Sequence, residues 1–362
     1  MSAVTVGHTV DWEFAATVGA KLVRPAPPVT DYTKRQAIEQ LAASARSAEG
    51  PVRDVTGLNE GAAITDARIV DRAEWVRAAT QSMRIMTGGK QGDASGAALT
   101  RRITGAQTGA VLAFVSSGIL GQYDPFAPPR GQERSDSGDH TNGGELLLVY
   151  PNVIAVERQL RVSPTDFRLW VCLHEVTHRV QFRANPWLAD HMSASLAVIT
   201  DESGQELTQV VGRLGEFVRN KRAAAGRAPE PNSEGIVGFL RAIQSEPQRR
   251  ALDQLLVLGT LLEGHADHVM DAVGPKVVPS VATIRRRFDE RRQRKQPPLQ
   301  RILRALMGVD AKMNQYTRGK AFVDHVVGEV GMAAFNTVWT SPETLPLPAE
   351  VDDPRRWIAR VL

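Results

Sequence analysis

Along the first third of the chain, apolar positions recur at helical spacing in four runs, roughly 10–23, 31–48, 72–87 and 96–121. Strand-like alternation is nearly absent there. The pattern changes at Gly131 to Gly144, a polar, turn-rich stretch followed at once by Leu146-Leu147-Leu148-Val149-Tyr150, the strongest strand signal in the chain. That strand is either a core strand or an edge that holds an extended substrate. A helix is then expected over about 164–183. Ser163 offers a hydroxyl cap, Pro164 occupies the first helical position and Asp166 completes a capping-box arrangement. Phe167, Trp170, Val171, Leu173, Val176 and Val180 fall mostly at helical spacing, and Asn185-Pro186 ends the run. Further helical patterns cover about 187–198, 204–220, 234–272 and 310–330, with an Ala-, Gly- and Pro-rich linker from Arg222 to Ser233. The Pro-rich stretch from Ser341 to Pro354 suggests an extended surface tail ending in a short helix at 355–361. The expectation is a mainly α (α+β) protein with a small sheet near 146–150. An N-terminal helical region, 1–127, packs on a core of 128–340, and a tail, 341–362, follows.

Composition narrows this picture. With 42% hydrophobic and 23% charged residues among 362, the chain has an ordinary globular balance and can bury a sizeable core. Its one cysteine, Cys172, excludes an intrachain disulfide framework and is expected to be a small buried apolar residue. Gly105 to Gly121 is apolar but dotted with Gln107, Thr108, Ser116, Ser117 and glycines, which suits a tightly packed buried helix rather than a membrane span. The first residues lack a basic region, and His8, Asp11 and Glu13 interrupt any apolar run, so no signal peptide and a cytoplasmic location are expected. Net charge is +4, and the Arg285 to Lys295 run concentrates cations, but it also carries Asp289 and Glu290, only Phe288 as an aromatic, and ends before Pro297-Pro298. A solvated helical face is expected, with nucleic acid a lesser reading.

The candidate chemistry lies within the 164–183 helix, in Leu173-His174-Glu175-Val176-Thr177-His178. His174 and His178, at i and i+4, share a helix face and can reach one zinc ion, while Glu175, one position round, can touch a water on that ion as general base. A catalytic zinc takes three protein ligands, so a third must come from elsewhere. Leu261 to His268 is the second concentration of metal-capable groups. Glu263 is the favoured ligand, with Asp267 one turn on to orient a ligand histidine. His265 or His268 could supply the ligand instead. For a further hydrogen-bond donor to a developing oxyanion the helix near 310–330 offers Tyr316, the favoured residue, or His325; they are 325 − 316 = 9 residues apart and so on opposite faces. His8, His140 and His191 have no partner spacing.

These motifs carry a resemblance. The HEVTH run followed at distance by Glu263 and Asp267 is similar to the gluzincin branch of zinc peptidases, whose third ligand is a glutamate in an ExxxD pattern. Val10-Asp11-Trp12-Glu13, Gly50-Pro51-Val52-Arg53, Val70-Asp71-Arg72, Gly121-Gln122-Tyr123-Asp124-Pro125, Glu263 to His268 and Pro279 to Ile284 together resemble the actinobacterial zincin-like metallopeptidase type 2 family. Members of that family are also labelled coenzyme F420 biosynthesis-associated. The separation from His178 to Glu263, 263 − 178 = 85 residues, is longer than is common among gluzincins. The resemblance implies a zincin-like catalytic core and a zinc metallopeptidase acting on a peptide or protein substrate. The alternative is a zinc-bound scaffold without catalysis.

Overall fold

The computed structural model describes residues 9–58, 61–88, 98–127, 144–200, 245–293 and 309–362. The chain folds as α1 (Trp12–Leu22), α2 (Asp31–Ser47), α3 (Glu49–Thr56), β1 (Arg68–Val70), α4 (Arg72–Met86), α5 (Ala98–Val115), β2 (Gly121–Asp124), β3 (Glu145–Val149), α6 (Tyr150–Leu160), α7 (Pro164–Ala184) and α8 (Trp187–Thr200). After these come α9 (Glu246–Val273), α10 (Val281–Gln293), α11 (Val309–Phe335), α12 (Pro348–Asp352) and α13 (Pro354–Val361). This is the mainly helical architecture with a small sheet that the pattern predicts. Expected helical patterns at 204–220 and 234–244, and the 222–233 linker, lie outside the described residues.

The sheet has the order β1-β3-β2. β3 runs parallel to β1, with Ile69 beside Leu148, and antiparallel to β2, with Gln122 beside Leu147. The strand seen in the sequence is therefore the centre of the sheet, not an edge. Its side chains alternate as a pleated strand requires. Leu146 and Leu148 enter a core with Leu173 and Val176 of α7 and Leu41 of α2, whereas Leu147 and Val149 face Trp75 and Val76 of α4. β1 and β2 escape notice in the sequence because one is three residues long and the other, Gly-Gln-Tyr-Asp, contains a single strand former. Pairing with β3 supplies what their propensity lacks.

α7 crosses this core and contributes Phe167, Trp170, Val171, Leu173, Val176 and Val180 to it. Ser163 Oγ accepts its cap hydrogen bond from Asp166 N at 3.4 Å, but the Asp166 carboxylate does not close a capping box. It accepts instead from Ser280 N at 2.9 Å, tying the start of α7 to the start of α10. Further along, Arg179 is fully buried and pairs with Glu49 of α3 at 2.5 Å while donating to the Thr65 carbonyl at 2.6 Å.

A second core joins α9 and α11 to the C-terminal residues. The helices approach without intervening side chains: a β-carbon on Gly264 would lie 2.2 Å from the Gly319 carbonyl carbon. The proline-rich stretch differs from its expected extended course. It forms one 3-10 turn, Pro342–Thr344, and α12, and its Leu345 and Val351, with Trp339 before it and Trp357 after it, sink into the α9–α11 core. Apolar anchors at those intervals outweigh the exposure that the prolines suggested, since the prolines at 348 and 354 sit where helices begin. The Gly105-containing helix is likewise buried on one face only. Gly105 and Gly109 lie against Asp11 and Ala15 of α1, while Leu99, Ile103 and Val111 are exposed. No helix among the described residues is long and apolar enough to cross a membrane.

Candidate metal centre

α7 and α9 bring three potential ligands together. His174 Nε2 and His178 Nε2 are 3.2 Å apart, and Glu263 Oε2 lies 3.2 Å from the first and 3.8 Å from the second. The helical i, i+4 spacing aligns the two imidazoles, which meet edge to face. Glu263 reaches them from α9, whose next residue, Gly264, packs against Gly319 of α11. Each residue offers one ligand atom, and all three atoms lie within 4.8 Å of one another. Two imidazole nitrogens and a carboxylate oxygen this close need a positive charge among them. Burial opposes a proton on His174, yet the hydrogen bond and charge of Glu263, with the charges of Glu175 and Asp267, outweigh it and raise His174 to about 9. A divalent cation would satisfy the same set, and the N, N, O donor combination is one that zinc accepts.

Glu175 is buried beside the cluster and rests against β2 at Gly121. All of these side chains line a cavity of about 590 Å3, whose remaining wall is mostly apolar, with Met83, Met86, Phe126, Phe182 and Met192 among its residues. Tyr123 lines it too. Burial pushes its phenol up to about 12 against the opposing charges of Arg183 and Arg179, so the hydroxyl stays protonated.

Asp267 also faces the cavity, but no hydrogen bond joins it to either histidine. Its carboxylate is 3.7 Å from Arg285, which in turn donates to the Asp267 carbonyl at 2.9 Å. The basic run is partly spent in the same way: Arg285 also pairs with Asp271, and Arg287 donates to the Leu160 carbonyl. His265 and His268 diverge from the cluster. His265 is fully buried against Phe335 and Trp339, and His268 binds Asp324 at 2.7 Å. His325 pairs with Glu329 at 3.1 Å on the surface, and the side chain of Tyr316 lies outside the described residues, as do His8 and His140. Cys172 is buried, and its thiol is 3.7 Å from the Leu41 carbonyl; burial first, and the Glu175 charge second, push it far up.

One participant was missed in the sequence. Gln181 is fully buried and touches His178 at 2.9 Å. Its place three residues after His178, on the helix face that also carries His174, was the available signal.

The family model described as zincin-like metallopeptidase matches residues 10–358. A crystal structure from Chloroflexus aurantiacus, described as a candidate hydrolase with a novel fold, is 26% identical and superposes with a TM-score of 0.61 over 97% of this chain and 98% of that one. No curated protein matches this chain.

Proposed function

This chain belongs to the zincin-like metallopeptidase family, and from that premise we propose that it is a zinc-dependent hydrolase of peptide bonds in which His174, His178 and Glu263 hold the metal and Glu175 is the general base. The observation that carries the reading is the convergence of these four side chains on one mostly apolar cavity. When bound, the zinc supplies a Lewis acid and acidifies a water within its reach. Glu175 has a carboxylate placed beside the ligand cluster, where it can accept a proton from the attacking water and later deliver it to the leaving amine. The missing side chain at Gly121 leaves room for this carboxylate.

The backbone of β2 supports an extended peptide as substrate. Val149 N donates to the Leu120 carbonyl at 2.8 Å, and Gly121 stands opposite Leu148. In an antiparallel pair this alternation turns the N–H and C=O groups of Gly121 and Tyr123 away from β3, toward the open side of the strand. An added strand there would run past Glu175.

The test combines metal analysis with hydrolysis of a peptide library. Glu175→Gln should retain stoichiometric zinc and lose turnover by about 10²–10⁴-fold. Undiminished hydrolysis by that variant removes the general-base assignment, and absence of zinc from the wild-type protein removes the ligand set.

A further inference from the structure

The Gln181 carboxamide makes three hydrogen bonds, two of them to α9 and one to His178 on its own helix. Its nitrogen is 3.1 Å from the Leu262 carbonyl and 2.9 Å from His265 Nδ1, and its oxygen is 2.9 Å from His178 Nδ1. A carbonyl oxygen only accepts, so the amide atom facing Leu262 is the NH2 group, and the remaining roles follow from that. Gln181 Oε1 accepts from His178 Nδ1–H. The second N–H of Gln181 donates to His265 Nδ1, leaving the His265 proton on Nε2.

The consequence for His178 is chemical. Protonated on Nδ1, a neutral imidazole keeps the lone pair of Nε2, the atom that faces His174 and Glu263. The opposite tautomer would place a hydrogen there and close the ligand position. The consequence for Glu263 is geometric. Leu262 immediately precedes it and His265 follows two residues later, so the amide grips α9 on both sides of the carboxylate-bearing position.

We propose that Gln181 is the positioning residue of the metal centre, a role that rests on reading His174, His178 and Glu263 as metal ligands: it holds His178 in its ligating tautomer and sets the register of α7 against α9. His265 is the third partner of this amide and not a ligand. Its ring centroid lies 5.4 Å from those of both Phe335 and Trp339, and its Nε2 has no hydrogen-bond partner among the described residues. Asp267, expected from the sequence to orient a histidine, makes no such bond, and Gln181 does.

The experiment measures zinc affinity of the full chain by competition with a chromogenic chelator, with far-UV circular dichroism as the folding check. Gln181→Met removes every hydrogen bond at similar volume and should weaken zinc binding by about 10–100-fold. Gln181→Glu keeps an acceptor toward His178 but loses the donor to the Leu262 carbonyl, so its zinc affinity should lie between those of Gln181→Met and the wild type, and its thermal stability should fall. A folded Gln181→Met that binds zinc as tightly as the wild type overturns the proposal. Should that variant not fold, histidine 15N NMR on the zinc-free wild-type protein decides. A bare Nδ1 on His265 with Nδ1–H on His178 supports the amide orientation, and the reverse on either ring overturns it. A wild-type protein that binds no zinc removes the ligand set and this role with it, whereas wild-type and Gln181→Met binding equally well removes only the role.

Discussion

Gly121 has no side chain because Glu175 occupies its place: a β-carbon there would lie 2.7 Å from Glu175 Cγ and 2.9 Å from its carboxyl carbon. Leu148 closes the other side at 2.9 Å, so an added methyl cannot be met by one neighbour alone. Gly121→Ala should therefore move the proposed base while leaving His174, His178 and Glu263 in place. We expect kcat for a peptide substrate to fall by about 10–100-fold, since displacement of a reacting group by about 1 Å costs on that order. Zinc content should not change. Wild-type kcat in this variant would mean that the position of Glu175 is immaterial to turnover.

Glu263 and Asp267 share a helix face but not an environment. Glu263 reaches both histidines, whereas Asp267 is held near Arg285 and acts on His174 through charge alone. Glu263→Ala should lose zinc at submicromolar metal, and Asp267→Ala should weaken binding by no more than about 10-fold. His268→Ala is the control for the other ligand set. Its Nδ1 is committed to Asp324, so zinc binding should match the wild type. Loss of zinc from His268→Ala with retention in Glu263→Ala would invert the assignment.

How much of this was open to a reader of the sequence follows from where the information is local. α7 carries its own cap, proline start, apolar spacing and stop, and its bounds of 164–184 fall within a residue of those expected. The pairing of α9 with α7 was open only through chemistry: metal needs a third ligand, and Glu263 stands in the one other cluster of donors. Gln181 was open only as a polar residue one turn from His178; its partners on α9 lie more than eighty residues away, and only packing brings them within reach. β2 was hidden for the same reason. Its four residues have little strand propensity and are paired because β3 is already there. The tail was misread because proline content suggests exposure, while the spacing of Trp339, Leu345, Val351 and Trp357 carries the opposite message.

The Glu49–Arg179 pair lies one residue beyond His178 on α7 and is almost wholly removed from water. Removing one member leaves a buried charge without its counterion, which typically costs about 3–5 kcal/mol. Glu49→Ala should lower stability by that amount in urea unfolding. Arg53 also pairs with Glu49, at 2.7 Å, so replacing all three, as Glu49→Leu with Arg179→Met and Arg53→Met, should restore more than half of the loss, because no isolated charge remains. A triple variant as unstable as the single one would show that the bonds from Arg179 to the Thr65 carbonyl and from Arg53 to the Ala62 carbonyl, not the ion pairs, are the larger contribution.

His265 predicts how the metal-free fold responds to acid. Burial above all, with the neighbouring His268 and His178, depresses its pKa to about 3, whereas in the unfolded chain it titrates near its ordinary 6.5. Above about pH 6.5 both states hold it neutral and it contributes no slope. Below that, the unfolded chain takes up a proton that the folded protein refuses, so stability declines as pH falls toward 3, by up to about 1.4 kcal/mol per pH unit for this one group. His174 does not mask the trend. Its folded pKa is raised, so its contribution is complete below pH 6.5 and is lost only as pH climbs toward 9. Carboxylates also titrate at the acid end, but they do so equally with or without His265. The readout is therefore the difference in urea midpoint between wild type and His265→Phe, measured with chelator present from pH 7 to 4. Phenylalanine forfeits the Gln181 bond at every pH, which displaces the whole curve, yet its stability should fall less steeply below pH 6.5. Parallel curves would mean that His265 gains its proton as readily in the folded protein as in the unfolded chain, and that its ring is not sealed between Phe335 and Trp339.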